Sequence, residues 1–567
     1  VRIYNNAIQA NVAFSGALPL TAGWGTAAGG GIAIEKAASA IITNNQILNN
    51  VGGRWSSADT ADVYGGGIGA SGSPAITISG NTIRGNVANA AQGTGSGGGI
   101  FLHMRVATLS GNTIVQNSGT LSGASASGGG VFGWDLPTLT FSGNVVMSNT
   151  AGVQITAAGS PPNAWAGGGG IEMNAPNPTG HHYVLQNNHF INNVAAFTLT
   201  AAGNNSQGHA EGGGVRIANA STALISGNEM RGNTTVTTMT LVGASSNDWG
   251  GRPAGGGLYV ADSDILTVTD NTVASNVAAR RLIVNSVSSN ASGGGGALER
   301  VQRVTLEENH ISDNVAAETI ALTNADAVAG GAGLLLMDSS VLMRANVISG
   351  NTGYAGNDRG YSGGMEVIGC QLTMYRNLIL GNRNSANGKG DAGGVNIDSS
   401  VVTSTNDILA RNYKAFNAHN ESRLTLINDT LYSNTPGGTG EAVGVRERST
   451  VVVSNTIVAG HSVGLNVNSD DPPVALIEDY NLLHNTTNVQ GAVTAGTHTI
   501  LNQNPKFINA AADNFRLQAG SPAMDKASPA WAPAIDFYGV ARPQGPRPDI
   551  GAAEGTERRV HLPVIRR

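Results

Sequence analysis

Short alternating runs dominate this chain. Two apolar residues flanking a third follow a glycine run repeatedly, as in Ile32-Ala33-Ile34, Ile100-Phe101-Leu102, Ile171-Glu172-Met173, Val215-Arg216-Ile217 and Leu258-Tyr259-Val260. Period-two alternation puts the flanking residues on one face of a strand and the middle residue on the other. A second alternating segment, such as Ala75-Ile76-Thr77-Ile78, closes on Ser79-Gly80-Asn81, and a third has the form Asn-x-apolar-x-x-Asn. Apolar residues do not follow a 3.6 period, and Gly and Asn recur too often for helices. The pattern predicts units of three short strands.

The third segment starts at Asn45, Asn81, Asn112, Asn144, Asn188, Asn228, Asn271, Asn309, Asn346 and Asn377, with looser copies at Asn406–Asn412 and Asn428–Asn434. Three short strands bury no core alone, whereas stacked copies do. An amide both donates and accepts, so these Asn predict a ladder running from one coil to the next. The spacing from first strand to Asn is nearly constant, with an exception at Ile171–Asn188, so length varies mainly between the second Asn and the next glycine run. That corner carries the insertions Val51–Tyr64, Thr150–Ala166, Val194–Glu211, Thr234–Ala254 and Val277–Ser292, read as extensions of the third strand or side ribbons.

Over roughly residues 1–500 these features resemble right-handed parallel β-helix proteins of the pectate-lyase-like class. The fold class implied is all-β, a right-handed parallel β-helix (solenoid) with Asn/Gly corner ladders and variable-length insertions at one corner. A β-propeller is the alternative at this repeat length, but its blades need a constant fourth strand. Residues 501–556 differ: Asn504-Pro505-Lys506-Phe507, Ser521-Pro522-Ala523-Met524-Asp525, Asp536-Phe537-Tyr538-Gly539 and Asp549-Ile550-Gly551 resemble the C-terminal region of bacterial surface β-helix proteins of the choice-of-anchor Q type. A Pro-rich segment donates few backbone hydrogen bonds and suits the end of a sheet. A basic tail, 557–567, follows and resembles short surface-sorting tails. The resemblance implies a secreted, extracellular or cell-surface protein, and the chain's start inside a unit predicts a removed upstream segment.

Composition narrows the function. The 567 residues include 80 Gly, only 12% are charged, and the net charge is −6 without a basic stripe, which disfavours a nucleic-acid partner. The single cysteine, Cys370, excludes an intramolecular disulfide framework and reads as a core filler. No apolar run is long enough to span a membrane. No motif indicates a cofactor or a metal; calcium is compatible with the fold class but has no motif here. Asp525, Asp536 and Asp549 read as turn residues, and His181-His182 and the pair His209 and Glu211 as solvated side chains rather than metal ligands.

Lyase chemistry on a uronic acid needs a cation for the carboxylate and a base near the α-proton. Taking the first apolar residue after each glycine run as inward, Ala297 included, the outward residues run Phe101, Phe132, Glu172, Arg216, Tyr259, Leu298, Leu335, Glu366 and Asn396. Glu172, Arg216 and Tyr259 on successive coils are the best catalytic candidates, but neighbouring opposite charges pair in ordinary sheets as well. Hydrolase chemistry needs clustered Asp, and the one Asp doublet, Asp470-Asp471, is followed by two prolines. Phe101, His103, Phe132 and Trp134, with Trp24, Trp55, Trp165 and Trp249 near the glycine runs, form an aromatic set suited to sugar rings or a protein partner, unless the insertions cover it. The balance predicts a non-catalytic structural or adhesive surface protein that self-associates or binds cell-envelope or extracellular polysaccharide. A polysaccharide lyase or glycoside hydrolase is the alternative.

Overall fold

The computed structural model describes residues 1–13, 27–53, 63–158, 162–243, 249–286, 288–357, 360–387, 390–433, 440–468 and 474–555. They form two compact units: Val1–Leu342, Asn346–Cys370 and Asn382–Asn396 make up the first, and Met343–Ala345, Gln371–Gly381 and Ile397–Arg567 the second. Among the described residues there is no α-helix, only a 3-10 turn at Ala510–Ala512.

In the first unit every strand pairs in parallel with its equivalent one coil away. Ala75–Ser79 pairs residue for residue with Val106–Ser110, and that strand with Thr138–Ser142. Thr82–Arg84 pairs with Thr113–Val115, and Ile100–His103 with Val131–Trp134. The inward residues Ile76, Ile78, Ile83, Ile100 and Leu102 are buried, as the alternation requires.

The Asn corners hold this register. Asn188 uses its backbone N–H and its Nδ2 to donate to Asn228 Oδ1, both at 2.9 Å, and Nδ2 also donates to Phe141 O in the preceding coil. The second Asn of each unit repeats the arrangement, with Asn193 N and Nδ2 both 3.0 Å from Asn233 Oδ1. Each amide is thereby satisfied inside the protein, with no need of water.

The glycine run is explained position by position at Gly212-Gly213-Gly214. Gly212 has φ +63°, and a Cβ on it would lie 2.5 Å from Val215 O. A Cβ on Gly213 would lie 2.5 Å from both Gly256 O and the Thr234 carbonyl carbon, where coil and corner meet. A Cβ on Gly214 would press on Gly257 O and the Asn233 amide.

The insertions are neither extended third strands nor side ribbons. They form two further parallel sheets, of ten and eleven strands among the described residues. Outgoing strands Thr150–Ala158, Val194–Ala202, Thr234–Val242 and Val277–Asn285 pair with each other, as do the return strands Asn163–Gly167, Gln207–Glu211, Trp249–Ala254 and Ser288–Ser292. Neighbouring insertions of similar length offer one another complete strand partners, so pairing runs between coils. Between these sheets lies a separate Ala-rich core that includes Ala164, Ala166, Leu199, Ala210, Met239 and Leu282.

In the second unit the ladder changes residue. Asn377 donates to Asp407 Oδ1, Asp407 N to Asp429 Oδ1, Asp429 N to Thr456 Oγ1 and Thr456 N to Asn481 Oδ1. The six-residue spacing from Asn406 and Asn428 is therefore corrected: Asp407 and Asp429 hold the ladder position, and the five-residue spacing persists from Asp407 to Asn412. Asn406, Asn428 and Asn455 sit one residue earlier, at corners with φ between +53° and +54°.

Those three Asn bind the C-terminal segment. Asn406 Nδ2 donates to Ile535 O at 2.6 Å, Asn428 Nδ2 to Asp549 O at 3.0 Å, and Asn455 exchanges hydrogen bonds with the Ser528 backbone. Leu517, Ala523, Ala527 and Ile550 pack on Ile457, Ala459 and Leu482, so the segment runs along the flank of the third strands. Asp525, Asp536 and Asp549 each accept backbone N–H groups within this segment, from Arg547, Val540 and Gly555 respectively, among others.

Candidate functional site

The catalytic candidates lie where the first-strand sheet meets the return strands of the insertions. Glu172, Arg216 and Tyr259 are directly opposite one another on successive coils. Facing them, Trp165, His209 and Arg252 form an equivalent row on the return strands, while their neighbours Ala164, Ala166 and Ala210 turn into the Ala-rich core. The glycine run bends the chain so sharply that Glu211, just before it, reaches Arg216, just after it.

The result is a buried charge cluster. Arg216 Nε donates to Glu211 Oε2 at 2.8 Å and Nη1 to Glu172 Oε1 at 3.0 Å. The guanidinium lies 5.1 Å from the Trp165 ring centre and 5.6 Å from that of Tyr259. Tyr259 Oη donates to Glu299 Oε2 at 3.1 Å, and Arg252 pairs with the other oxygen of Glu299. Glu172 and Glu299 are 0% exposed, Tyr259 2% and Arg216 8%.

Burial dominates the ionisation of Glu172, which it raises to about 7 against the pull of Arg216. Glu211 is also desolvated, yet the charge and hydrogen bond of Arg216 hold it below the ordinary carboxylate value. Burial lowers the His209 imidazole and raises the Tyr259 phenol. Such a cluster carries proton-binding groups, but the Arg216 guanidinium is committed to Glu172 and Glu211 and the Tyr259 hydroxyl to Glu299, while Glu172 Oε2 is buried without a hydrogen-bond partner among the described residues.

Glu299 was not among the sequence candidates. The pairing sets Tyr259 opposite Ala297 and Val260 opposite Leu298, so Ala297 faces outward and Leu298 inward. The expectation slipped by one residue because this glycine run has four members, Gly293 to Gly296, and the fourth takes the inward place. A one-residue slip reverses every face.

The aromatic set divides. Tyr64 stacks on Phe101 at 4.4 Å, and Phe101 and Phe132 are buried under the bend. Trp134 is 39% exposed and His103 is exposed, while Trp165 is half-buried over Arg216. Trp249 begins a return strand, and Trp24 and Trp55 lie outside the described residues, as does Asp470-Asp471. His181 is buried and its Nε2 lies 3.0 Å from Asp135 Oδ1, while His182 pairs with Thr222. Cys370 is buried, and desolvation pushes its thiol up to about 11.

Among the described residues, no group of three or more His, Cys, Asp or Glu side chains is arranged to hold a metal ion, and no helix is long and apolar enough to cross a membrane. No curated protein matches the chain. Residues 1–166 match the family model described as the right handed beta helix region. With that match, coil-to-coil parallel pairing and two Asn ladders, the chain is a right-handed parallel β-helix repeat protein.

Proposed function

We propose that this protein is a non-catalytic structural or adhesive β-helix of the cell surface or extracellular space, acting through glycan binding or self-association. One observation carries the reading: Arg216 is paired with Glu172 and Glu211, Tyr259 is bonded to Glu299, and these groups, which a lyase would present in an open groove, are 0–8% exposed. A substrate carboxylate would have to displace Glu172 or Glu211 from Arg216, and removing one partner of a buried pair costs about 3–5 kcal/mol. The surface open to partners in the first unit includes Trp134, His103 and the outer face of the outgoing strands, where Thr198 and Thr238 stand in register.

The test is a glycan array in parallel with ultraviolet detection of unsaturated uronate from the same acidic polysaccharides. Binding without product supports the adhesive reading. Product that disappears in Arg216→Lys, with the fold intact by circular dichroism, would establish the lyase instead. Hydrolysis would show as new reducing ends without that absorbance.

A further inference from the structure

The second unit contains a cleft of about 530 Å³ between the third strands of the last coils and a C-terminal hairpin in which Phe507–Asn509 pairs antiparallel with Asn514–Leu517. Its floor is a row in register, Tyr432, Ala459 and His484, in which the small Ala459 leaves space between two larger rings. The opposite wall is Asn504, Lys506 and Gln518. This lies within the size range of small-molecule sites.

The wall is held in place. Lys506 has φ +53°, a conformation that disfavours a side chain, and it is fixed there from both sides. Its N–H donates to Asn504 Oδ1 at 2.8 Å, and its carbonyl accepts from Gln518 N at 2.9 Å. Gln518 Nε2 in turn donates to Phe507 O at 2.8 Å. Lys506 Nζ donates to Gly520 O at 3.0 Å, which uses one of its three hydrogens and holds the ammonium at the rim. Tyr432 is fixed by edge contacts with Phe507 at 5.5 Å and Phe515 at 5.6 Å.

No carboxylate lines the cleft, and neither Lys506 nor His484 has a carboxylate partner among the described residues. An ammonium, an imidazole, two amides and an aromatic ring suit a ligand with one negative charge, several hydroxyls and an apolar face. We infer that this cleft binds a carboxylated sugar, with Lys506 on the carboxylate and Asn504, Gln518 and His484 on the hydroxyls. The inference deepens the glycan-binding reading by naming a site and a sugar class. It stands apart from the buried Arg216 cluster.

Titration calorimetry of the full chain tests it with three probes: tetragalacturonate, the neutral galactose tetramer and inorganic phosphate. Tetragalacturonate binds, the neutral tetramer does not, and Lys506→Gln weakens binding by about tenfold, the size of one charge-assisted hydrogen bond. His484→Gln, at a half-buried strand end, weakens it as well, with circular dichroism confirming that the fold is intact. Failure of tetragalacturonate to bind, equal binding of the neutral tetramer, phosphate binding at the same affinity, or indifference to Lys506→Gln each overturns the site. Binding of other glycans on the array, unaffected by Lys506→Gln, would leave the adhesive reading standing without this cleft.

Discussion

Asp407 donates its backbone N–H to Asp429 Oδ1 at 2.7 Å, and both carboxyl groups are 0% exposed. They occupy adjacent rungs of a ladder whose other rungs in this unit are Asn377, Thr456 and Asn481. An Asn at a rung uses its NH2 to donate; a carboxylate has nothing to give. Asp407 accepts from Asn377 and Ser404 on its two oxygens, while Asp429 Oδ2 has no hydrogen-bond partner among the described residues. Desolvation raises Asp407 to about 7, and desolvation together with the Asp407 charge raises Asp429 well above its ordinary value.

Both groups bind protons more tightly folded than unfolded. The contribution of Asp407 is fully present below the unfolded value of about 4 and is lost as pH rises through about 7, and that of Asp429 is lost in the same direction. Each titrating group changes stability by about 1.4 kcal/mol per pH unit within that window. Chemical unfolding followed from pH 4 to pH 8 is expected to show the second unit weakening as pH rises. Asp407→Asn with Asp429→Asn restores the amide rungs and flattens the profile; an unchanged slope would refute the assignment.

The ladder in the first unit predicts the converse. Asn188→Asp introduces a carboxyl between Asn144, which donates to it, and Asn228, which needs a donor from it. Protonated, the carboxyl has one hydrogen where the amide gives two, so the variant is expected to fall somewhat below the parent at acidic pH and to lose about 2 kcal/mol more near neutrality, the cost of an unsatisfied buried group. Asn188→Ala loses stability at every pH. Thermal melts of the two variants at pH 4.5 and pH 7.5 separate the cases.

The ladders and the glycine run were legible in the sequence because each residue there acts through its own local chemistry: an amide that donates and accepts, or a backbone that admits no Cβ. What was not legible depends on partners distant in the chain. Thr150–Ala158 reads as an insertion, and only its match to Val194–Ala202 makes it a strand of a second stack. Asn406 and Asn428 looked like loosened ladder residues, whereas they point to a segment more than a hundred residues later. Glu172, Arg216 and Tyr259 fall side by side as the repeat implies, but Glu211, which pairs with Arg216, and Glu299, which accepts from Tyr259, emerge only with the bend and register in hand.

Arg216→Met removes the charge from between Glu172 and Glu211 while keeping much of the packing against Trp165 and Tyr259. Glu172 and Glu211 are then buried without a counter-charge, and about 3–5 kcal/mol of stability is lost. Adding Glu172→Gln and Glu211→Gln to that variant is expected to recover most of it, because neutral amides need no counter-charge. Denaturant melts of the single and triple variants measure the recovery. A single variant as stable as the parent would mean that the cluster contributes nothing to the fold.

One cation ties the C-terminal segment together from within. Arg542 is buried, donates from Nη1 to Glu554 Oε2 and to Asp549 O, both at 2.9 Å, and from Nη2 to Gly551 O at 2.7 Å. Burial opposes its charge and lowers it, with Glu554 pulling the other way. Arg542→Met leaves Glu554 buried without its partner, although Glu554 still accepts from Asp549 N and Gln544 N. The carboxylate then takes up a proton or draws in water, and the flank contacts of Ala523, Ile550 and Ala552 loosen first. Hydrogen exchange is therefore expected to rise across residues 521–555 while the Asn ladder of the first unit keeps its protection. Arg542→Lys, a compact cation that cannot span the carboxylate and two carbonyls in the same fork, falls between the two. Exchange that rises equally in both units would show that the segment is not fastened locally by Arg542.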